Sequence, residues 1–312
     1  MMKKGYWAFF LILGLGTFFL FYDKVKTKGH APTVSVVMPT YNRAALLPRT
    51  IDSILTQSFT DFEFIIVDDG STDESMGILK SYAQKDSRIV LLKNTQNRGI
   101  SHARNKGNRR ARGKYIAILD SDDPALPGRL EKQVAFLEEH PDTDVVQGRI
   151  RVEYTKKDPM PVFDYTRPTL PYILFDNVVG HSENMVRRDF LIQNGIMYDE
   201  TLRAGIDYDF WKQVLLNGGR FAKIQDVINI YRLHHTNQGE YYAQQAETRQ
   251  KVSREMLVYF GVPADLIEGG SRCAVFSYVL TKSPRRWVFD ERALRVATDD
   301  ECRREAALEV KE

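Results

Sequence analysis

Cysteine is nearly absent: Cys273 and Cys302 are the only two in 312 residues. Neither sits in a CxxC or Cys/His pattern, which excludes a disulfide scaffold and a zinc module; the two are read as unpaired. No Asn-x-Ser/Thr glycan acceptor occurs. Charge of one sign is not in excess, since Lys+Arg 44 against Asp+Glu 41 leaves +3. That balance argues against a dedicated nucleic-acid binder. No GxxxxGK[ST] and no GxGxxG follows a strand-like run, so the ATPase and dinucleotide-dehydrogenase signatures are missing. Repeats and low-complexity tracts are missing too. At 43% hydrophobic and 27% charged residues, the chain is not a disordered one. Its length suits one large α/β domain with an appendage.

One long apolar run is present. Tyr6 to Tyr22, YWAFFLILGLGTFFLFY, carries no charge over 17 residues. At ~1.5 Å per residue it just reaches across a ~30 Å hydrocarbon core, and aromatic residues stand at both ends like an interfacial belt. A cleaved signal peptide is the rival, but no small-x-small site follows before Asp23. The segment is read as a single-pass membrane anchor. Lys3 and Lys4 on one side oppose Lys24, Lys26 and Lys28 on the other, so charge does not fix its orientation.

Beyond the linker, apolar runs alternate with helical periods. Strands are expected at 34–38, 62–67, 89–92 and 115–119, with helices at 47–55, 73–84 and 100–111. Continuously apolar strands joined by helices predict a mostly parallel sheet covered on both faces. Every strand runs into a polar loop: Pro39-Thr40-Tyr41-Asn42, Asp68-Asp69-Gly70-Ser71, Asn94 to Gly99, and Asp120-Ser121-Asp122-Asp123. In an open parallel sheet ligands bind beyond the carboxyl ends of the strands, so four such loops at one edge describe a site.

Asp120, Asp122 and Asp123 repel one another, and a hard divalent cation is the simple relief. An EF-hand is excluded because Pro124 and Ala125 stand where a ligand and the obligatory glycine belong. With few carboxylates, Mg²⁺ or Mn²⁺ holding substrate phosphates fits better than a protein-only cage. The basic stretch from Arg98 to Lys114 agrees with an anionic ligand. Most of its cations are read as solvated or membrane-facing, with Arg104 best placed for a diphosphate.

The blocks VSVVMPTYNR (34–43), FIIVDDGSTD (64–73), NRGISHARNKG (97–107), YIAILDSDD (115–123), GIDYDFW (205–211) and YRLH (231–234) together resemble family 2 glycosyltransferases. The resemblance runs from Val34 to His234 and implies an inverting transferase of the GT-A fold. It implies that Pro39, Tyr41 and Asn42 border the nucleotide base. Asp69, with Asp68 beside it, would meet that base. Arg104 would lie near the phosphates, Asp120 near the ribose and Asp122 on the metal, with His234 as a further metal ligand. The family's acidic pair usually reads Glu-Asp before Tyr-Asp-x-Trp; here it is Ile206-Asp207, leaving Asp207 as the candidate base. His181, Asn184 and Trp211 are candidates for contact with the acceptor.

The resulting expectation is a membrane-anchored transferase moving a sugar, hexosyl or N-acetylhexosaminyl, from a nucleotide-diphosphate donor such as a UDP-sugar. The acceptor would be a hydroxyl of a glycan or lipid-linked sugar; nucleic acid is not a partner. The alternative is a non-catalytic nucleotide-sugar-binding or scaffold protein, motivated by Ile206. The expected division is an anchor and linker over 1–32, a nucleotide-sugar half over 33–123, an acceptor half over 124–235 and a helical extension over 236–312, its end from Asp299 fraying. The catalytic domain is assigned to the cytoplasmic face, where activated sugars are made, or to the Golgi lumen for a eukaryotic enzyme; the unpaired cysteines favour the former.

Overall fold

A computed structural model describes residues 31–154, 162–163, 170–233, 239–285 and 291–309. The expected anchor over Tyr6–Tyr22 and the candidate ligand His234 lie outside the described residues. Among the described residues no helix is long and apolar enough to cross a membrane.

The first half alternates as its apolar periods predict. It runs β1 (Val34–Thr40), α1 (Leu47–Leu55), β2 (Phe62–Asp68), α2 (Ser75–Lys85), β3 (Ile89–Lys93), α3 (Ile100–Arg110) and β4 (Tyr115–Ile118). β1 and β2 are buried at every position, as interior parallel strands must be. The two sides of the pleat feed two cores. Val36, Met38, Phe64 and Ile66 pack under α1 and α2, whereas Val37, Ile65 and Val67 face α3. Helix α3 lies close: a Cβ on Gly107 would stand 2.5 Å from Val37 Cγ1. That contact accounts for a residue that weakens a helix interior by ~1 kcal/mol relative to alanine.

The second half adds α4 (Arg129–Glu139), β5 (Val145–Tyr154), β6 (Val162–Phe163), a 3-10 turn at Leu170–Leu174, β7 (Asn184–Arg187), α5 (Arg188–Gln193), α6 (Ile206–Leu216) and β8 (Phe221–Leu233). The strands form one sheet in the order β3-β2-β1-β4-β7-β5-β6, with β8 also paired to β5. β3, β2, β1 and β4 are parallel; β7 is antiparallel to both β4 and β5. The chain leaves β1 toward β2 on one side and later returns to β4 on the other, the reversal where open α/β sheets place ligands. Register aligns the ends, with Thr40 opposite Asp68 and Asp68 opposite Lys93.

The C-terminal segment is helical: α7 (Gly239–Tyr259), α8 (Ala264–Gly269), α9 (Arg272–Thr281) and α10 (Glu291–Glu309). Met256, Phe260, Phe276 and Leu294 belong to the same buried cluster as Trp211 and Ile65, so these helices extend the main core. Two expectations are corrected here. Asp299 to Glu309 continues as helix, and Cys273 and Cys302 are bonded to each other. Spacing alone could not pair them, because they come together only when α9 packs against α10.

Candidate active site

The polar strand ends converge as expected on a cavity of about 410 Å³ lined by Pro39, Thr40, Tyr41, Arg43, Asp69, Asn97, Gly99, Asp120, Asp122 and Tyr231. Its walls are cross-braced loops. Asn42, the one non-glycine at positive φ (51°) among the described residues, accepts the Thr72 N–H on its Oδ1, while its own N–H donates to Ser71 Oγ. It ties the loop after β1 to the loop after β2 and does not line the cavity. Asp69 accepts from Asn94 Nδ2 at 2.7 Å and from the backbone N–H groups of Arg98 and Gly99. It therefore holds the loop after β3 while keeping an edge on the cavity. Asp68 is fully buried and lies behind the wall, accepting the Ser71 N–H.

The acidic loop after β4 differs from its sequence expectation. Repulsion among Asp120, Asp122 and Asp123 is largely relieved by the protein itself. Arg104 Nη2 donates to Asp120 Oδ1 at 2.5 Å. Burial opposes ionisation of Asp120, but the Arg104 charge, the neighbouring His181 and the hydrogen bonds from Arg104 and Ser182 together outweigh it and hold the carboxyl below its usual range. Asp123 is the opposite case: burial, then the charges of Asp120 and Asp122, push it well above its ordinary value. The hydroxyl of Ser182 stands 2.8 Å from Asp120 Oδ2 and 2.7 Å from Asp123 Oδ2. A hydroxyl has one proton to give, so Asp123 supplies the second. Behind them lies Arg129, which is fully buried. Asp122 remains at the cavity, 3.7 Å from Arg43 Nε.

Among the described residues no group of three or more His, Cys, Asp or Glu could hold a metal alone. One hard carboxylate beside a diphosphate-sized cavity does fit Mg²⁺ or Mn²⁺, which take one or two carboxylates and complete their shell with substrate phosphates and water.

A second cavity of about 720 Å³ adjoins the first, with Asp120 and Tyr231 on both walls. It is lined by Arg104, Asp176, Asn177, His181, Ser182, Arg203, Ile206, Asp207 and Arg249, among others. Asp207 sits in the first turn of α6, and Asn177 Nδ2 donates to its Oδ2 at 2.7 Å. Burial raises its pKa, with Arg104 pulling in the other direction; a carboxylate made more basic by its surroundings suits a general base. The helix can begin there because Gly205 takes φ +65, and a Cβ would lie 2.9 Å from Thr248 Cγ2 on α7. His181 lines this cavity as expected. Asn184 and Trp211 do not. Asn184 is fully buried and donates to the Gly180 and His181 carbonyls, and Trp211 is core, its Nε1 donating to Gly180 O. Both shape the loop that carries His181 and have no surface to offer a sugar.

Sequence reasoning missed Arg43, Ser182, Arg203 and Tyr231 at these cavities. Ser182 stood inside the GHSENMV block (180–186), but nothing in the sequence signals that it bridges two aspartates from β4.

Residues 35–194 match the family model described as Glycosyl transferase family 2. The chain belongs to glycosyltransferase family 2. It is similar to an uncharacterized glycosyltransferase of Methanocaldococcus jannaschii, 38% identical over 213 residues, covering 65% of this chain and 71% of the relative. It is also similar to the succinoglycan biosynthesis protein ExoO of Rhizobium meliloti, at 31% over 217 residues, covering 65% and 61%. In fold it resembles S. aureus TarS 1–349, solved with UDP-GlcNAc (TM-score 0.58, 19% identity, 86% of this chain and 89% of that one). A mannosyltransferase of Pyrobaculum calidifontis, PcManGT, solved with GDP-Man and Mn²⁺, gives a TM-score of 0.55 at 20% identity, covering 95% and 87%. The chain is thus a glycosyltransferase of the GT-A fold.

Proposed function

We propose that this glycosyltransferase moves a sugar with inversion from a nucleoside-diphosphate donor, a UDP-sugar, to a hydroxyl of a glycan or lipid-linked acceptor. The observation that carries the reading is the shared wall. Asp120 borders both cavities, and Asp207 lies in the second. A donor in the first cavity presents its anomeric carbon across Asp120 to a hydroxyl beside Asp207. Asp207 takes the hydroxyl proton as the oxygen bonds to the anomeric carbon. The bond to the diphosphate oxygen breaks with its electron pair, and the nucleoside diphosphate leaves. No enzyme nucleophile is needed. Arg104, 2.5 Å from Asp120, lies close enough to this junction to favour the ionised forms of both Asp120 and Asp207. A divalent cation, when bound, neutralises the departing diphosphate as a Lewis acid. Asp122 would hold it, with His234 implied by the family resemblance.

The TarS and PcManGT complexes carry UDP and GDP donors respectively, so the base is a question for titration. The full chain is titrated with UDP, GDP and CMP, with and without Mn²⁺; UDP binding that requires the metal is expected. Asp207→Asn is expected to abolish transfer while UDP affinity stays within about twofold. Equal loss of transfer and binding would remove Asp207 from the role of base.

We also place the protein at a membrane through residues 6–22, its catalytic domain on the cytoplasmic face. The bonded Cys273 and Cys302 withdraw the support that unpaired cysteines lent to that face, so the assignment rests on where activated sugars are made. Protease protection of the catalytic domain in intact cells tests it, and digestion from outside would refute it.

A further inference from the structure

Three arginines, Arg104, Arg203 and Arg249, line the cavity that holds Asp207. Two are matched by carboxylates, Arg104 by Asp120 and Arg249 Nε by Asp176 at 3.1 Å. Glu183, on the same wall, is shifted toward its neutral form by burial. Arg203 is exposed at the cavity and forms no ion pair with another described residue. The N-terminus of α6, an 11-residue helix, opens on the same space at Gly205 and Ile206, but there the Asp207 carboxylate accepts the Tyr208 N–H at 3.0 Å and offsets the partial positive charge of that end. Ile206 adds no second carboxylate, so Asp207 alone supplies acidic charge from this helix end to the cavity.

His181 provides the independent observation. It is 8% exposed, and its Nε2 stands 2.9 Å from the Tyr198 hydroxyl. Burial, then the charge of Arg104, hold its pKa well below the ordinary value, so the ring is neutral. Its Nδ1 is buried without a hydrogen-bond partner. If Tyr198 donates to Nε2, the hydroxyl proton is satisfied and the ring proton sits on Nδ1; the reverse assignment leaves two groups wanting. A buried N–H donor on the cavity wall thus lacks an acceptor, and leaving it so is costly.

Granting the transfer reading above, we propose that the acceptor substrate carries an oxyanion, a carboxylate or a phosphate, recognised by Arg203 and the His181 Nδ1–H. Neutral sugars would leave the unmatched arginine and the buried imidazole donor without a counterpart. Two sources share this chemistry, an acidic sugar and a phosphorylated polyol.

The test uses the full chain in detergent, saturated with UDP and Mn²⁺ so that the diphosphate site is filled. It is titrated calorimetrically with matched pairs: methyl β-glucuronide against methyl β-glucoside, and glycerol 3-phosphate against glycerol. One anion is expected to bind at least about tenfold tighter than its neutral match. Arg203→Gln should remove that advantage without weakening the neutral partner, and Arg203→Lys should restore part of it. Preference for the glucuronide assigns an acidic sugar, and preference for glycerol 3-phosphate a phosphorylated acceptor. Equal binding within both pairs, no binding of either anion, or a Gln variant that weakens neutral and anionic ligands alike overturns the proposal. UDP binding is measured first: its absence defeats the donor reading, whereas UDP binding without anion preference defeats only the acceptor class.

Discussion

Replacing Arg129 by methionine tests how the acidic loop is held. Arg129 is fully buried. Its Nη2 donates to Ile118 O at 2.7 Å, Nη1 to Asn229 Oδ1 at 2.9 Å and Nε to Gln133 Oε1 at 3.1 Å. One side chain thus joins the end of β4, helix α4 and strand β8. Burial lowers its pKa to about 10, which leaves it charged at neutral pH as counter-charge to Asp120, with Glu183 and Asp123, both shifted toward their neutral forms, close by. Methionine keeps an unbranched apolar stem and removes every donor. The Gln133 and Asn229 side chains can turn to new partners, but the Ile118 carbonyl cannot, and the nearby carboxyls lose their cation. Breaking a buried, hydrogen-bonded charge in this way costs about 3–5 kcal/mol. At about 2–4 °C per kcal/mol for a domain this size, the melting temperature should fall by about 6–20 °C. The assay is thermal unfolding by circular dichroism, with UDP titration on the folded protein below the transition. Arg129→Lys keeps the charge and should fall less. A methionine variant melting within about 2 °C of the parent refutes the reasoning, as does a lysine variant that falls equally far.

Four further outcomes follow from the site. As the proposed base Asp207 must be ionised, and burial raises its pKa, so kcat should fall as pH drops through a value above the ordinary ~3.9. Asn177→Ala removes the 2.7 Å donor to its Oδ2 and should move that acid limb to higher pH; an unmoved limb refutes the contact's role. Asp123, raised by burial and its acidic neighbours, binds its proton more tightly folded than unfolded. Its contribution to stability is full at low pH and is lost as pH rises through the folded pKa. Asp123→Asn should therefore melt with a flatter pH profile at unchanged UDP affinity, and a loss of UDP binding would show that the charge is needed. Gly205→Ala forces a side chain into the left-handed region and against Thr248, costing about 1–2 kcal/mol in backbone strain alone. Its kcat should drop more than its UDP affinity, since Asp207 lies two residues on; equal drops would argue against local displacement.

The sequence by itself determined the parallel half of the sheet. Its strands are interior on both faces, so each reads as an unbroken apolar run, and the helices keep a buried stripe at Leu47, Ile51 and Ile54. That sheet obliges the polar ends to meet, which is why Pro39, Tyr41, Asp69, Asp120 and Asp122 could be assigned to one edge before any coordinates. Tertiary structure decided what those residues do there. Asn42 and Asp69 look alike as polar loop residues, yet one braces a turn and the other clamps a neighbouring loop from the cavity wall. The acidic run implied a cation to relieve its repulsion, but partners 16 and 62 residues away, Arg104 and Ser182, take up much of that task. Trp211 and Asn184 carry groups that suit a sugar, and only packing shows that they face inward. Cys273 and Cys302 carry no local signal of pairing. Local periodicity reports burial against a neighbouring face, whereas proton sharing, charge pairing and disulfide contact depend on which distant segments the fold brings within a few ångströms.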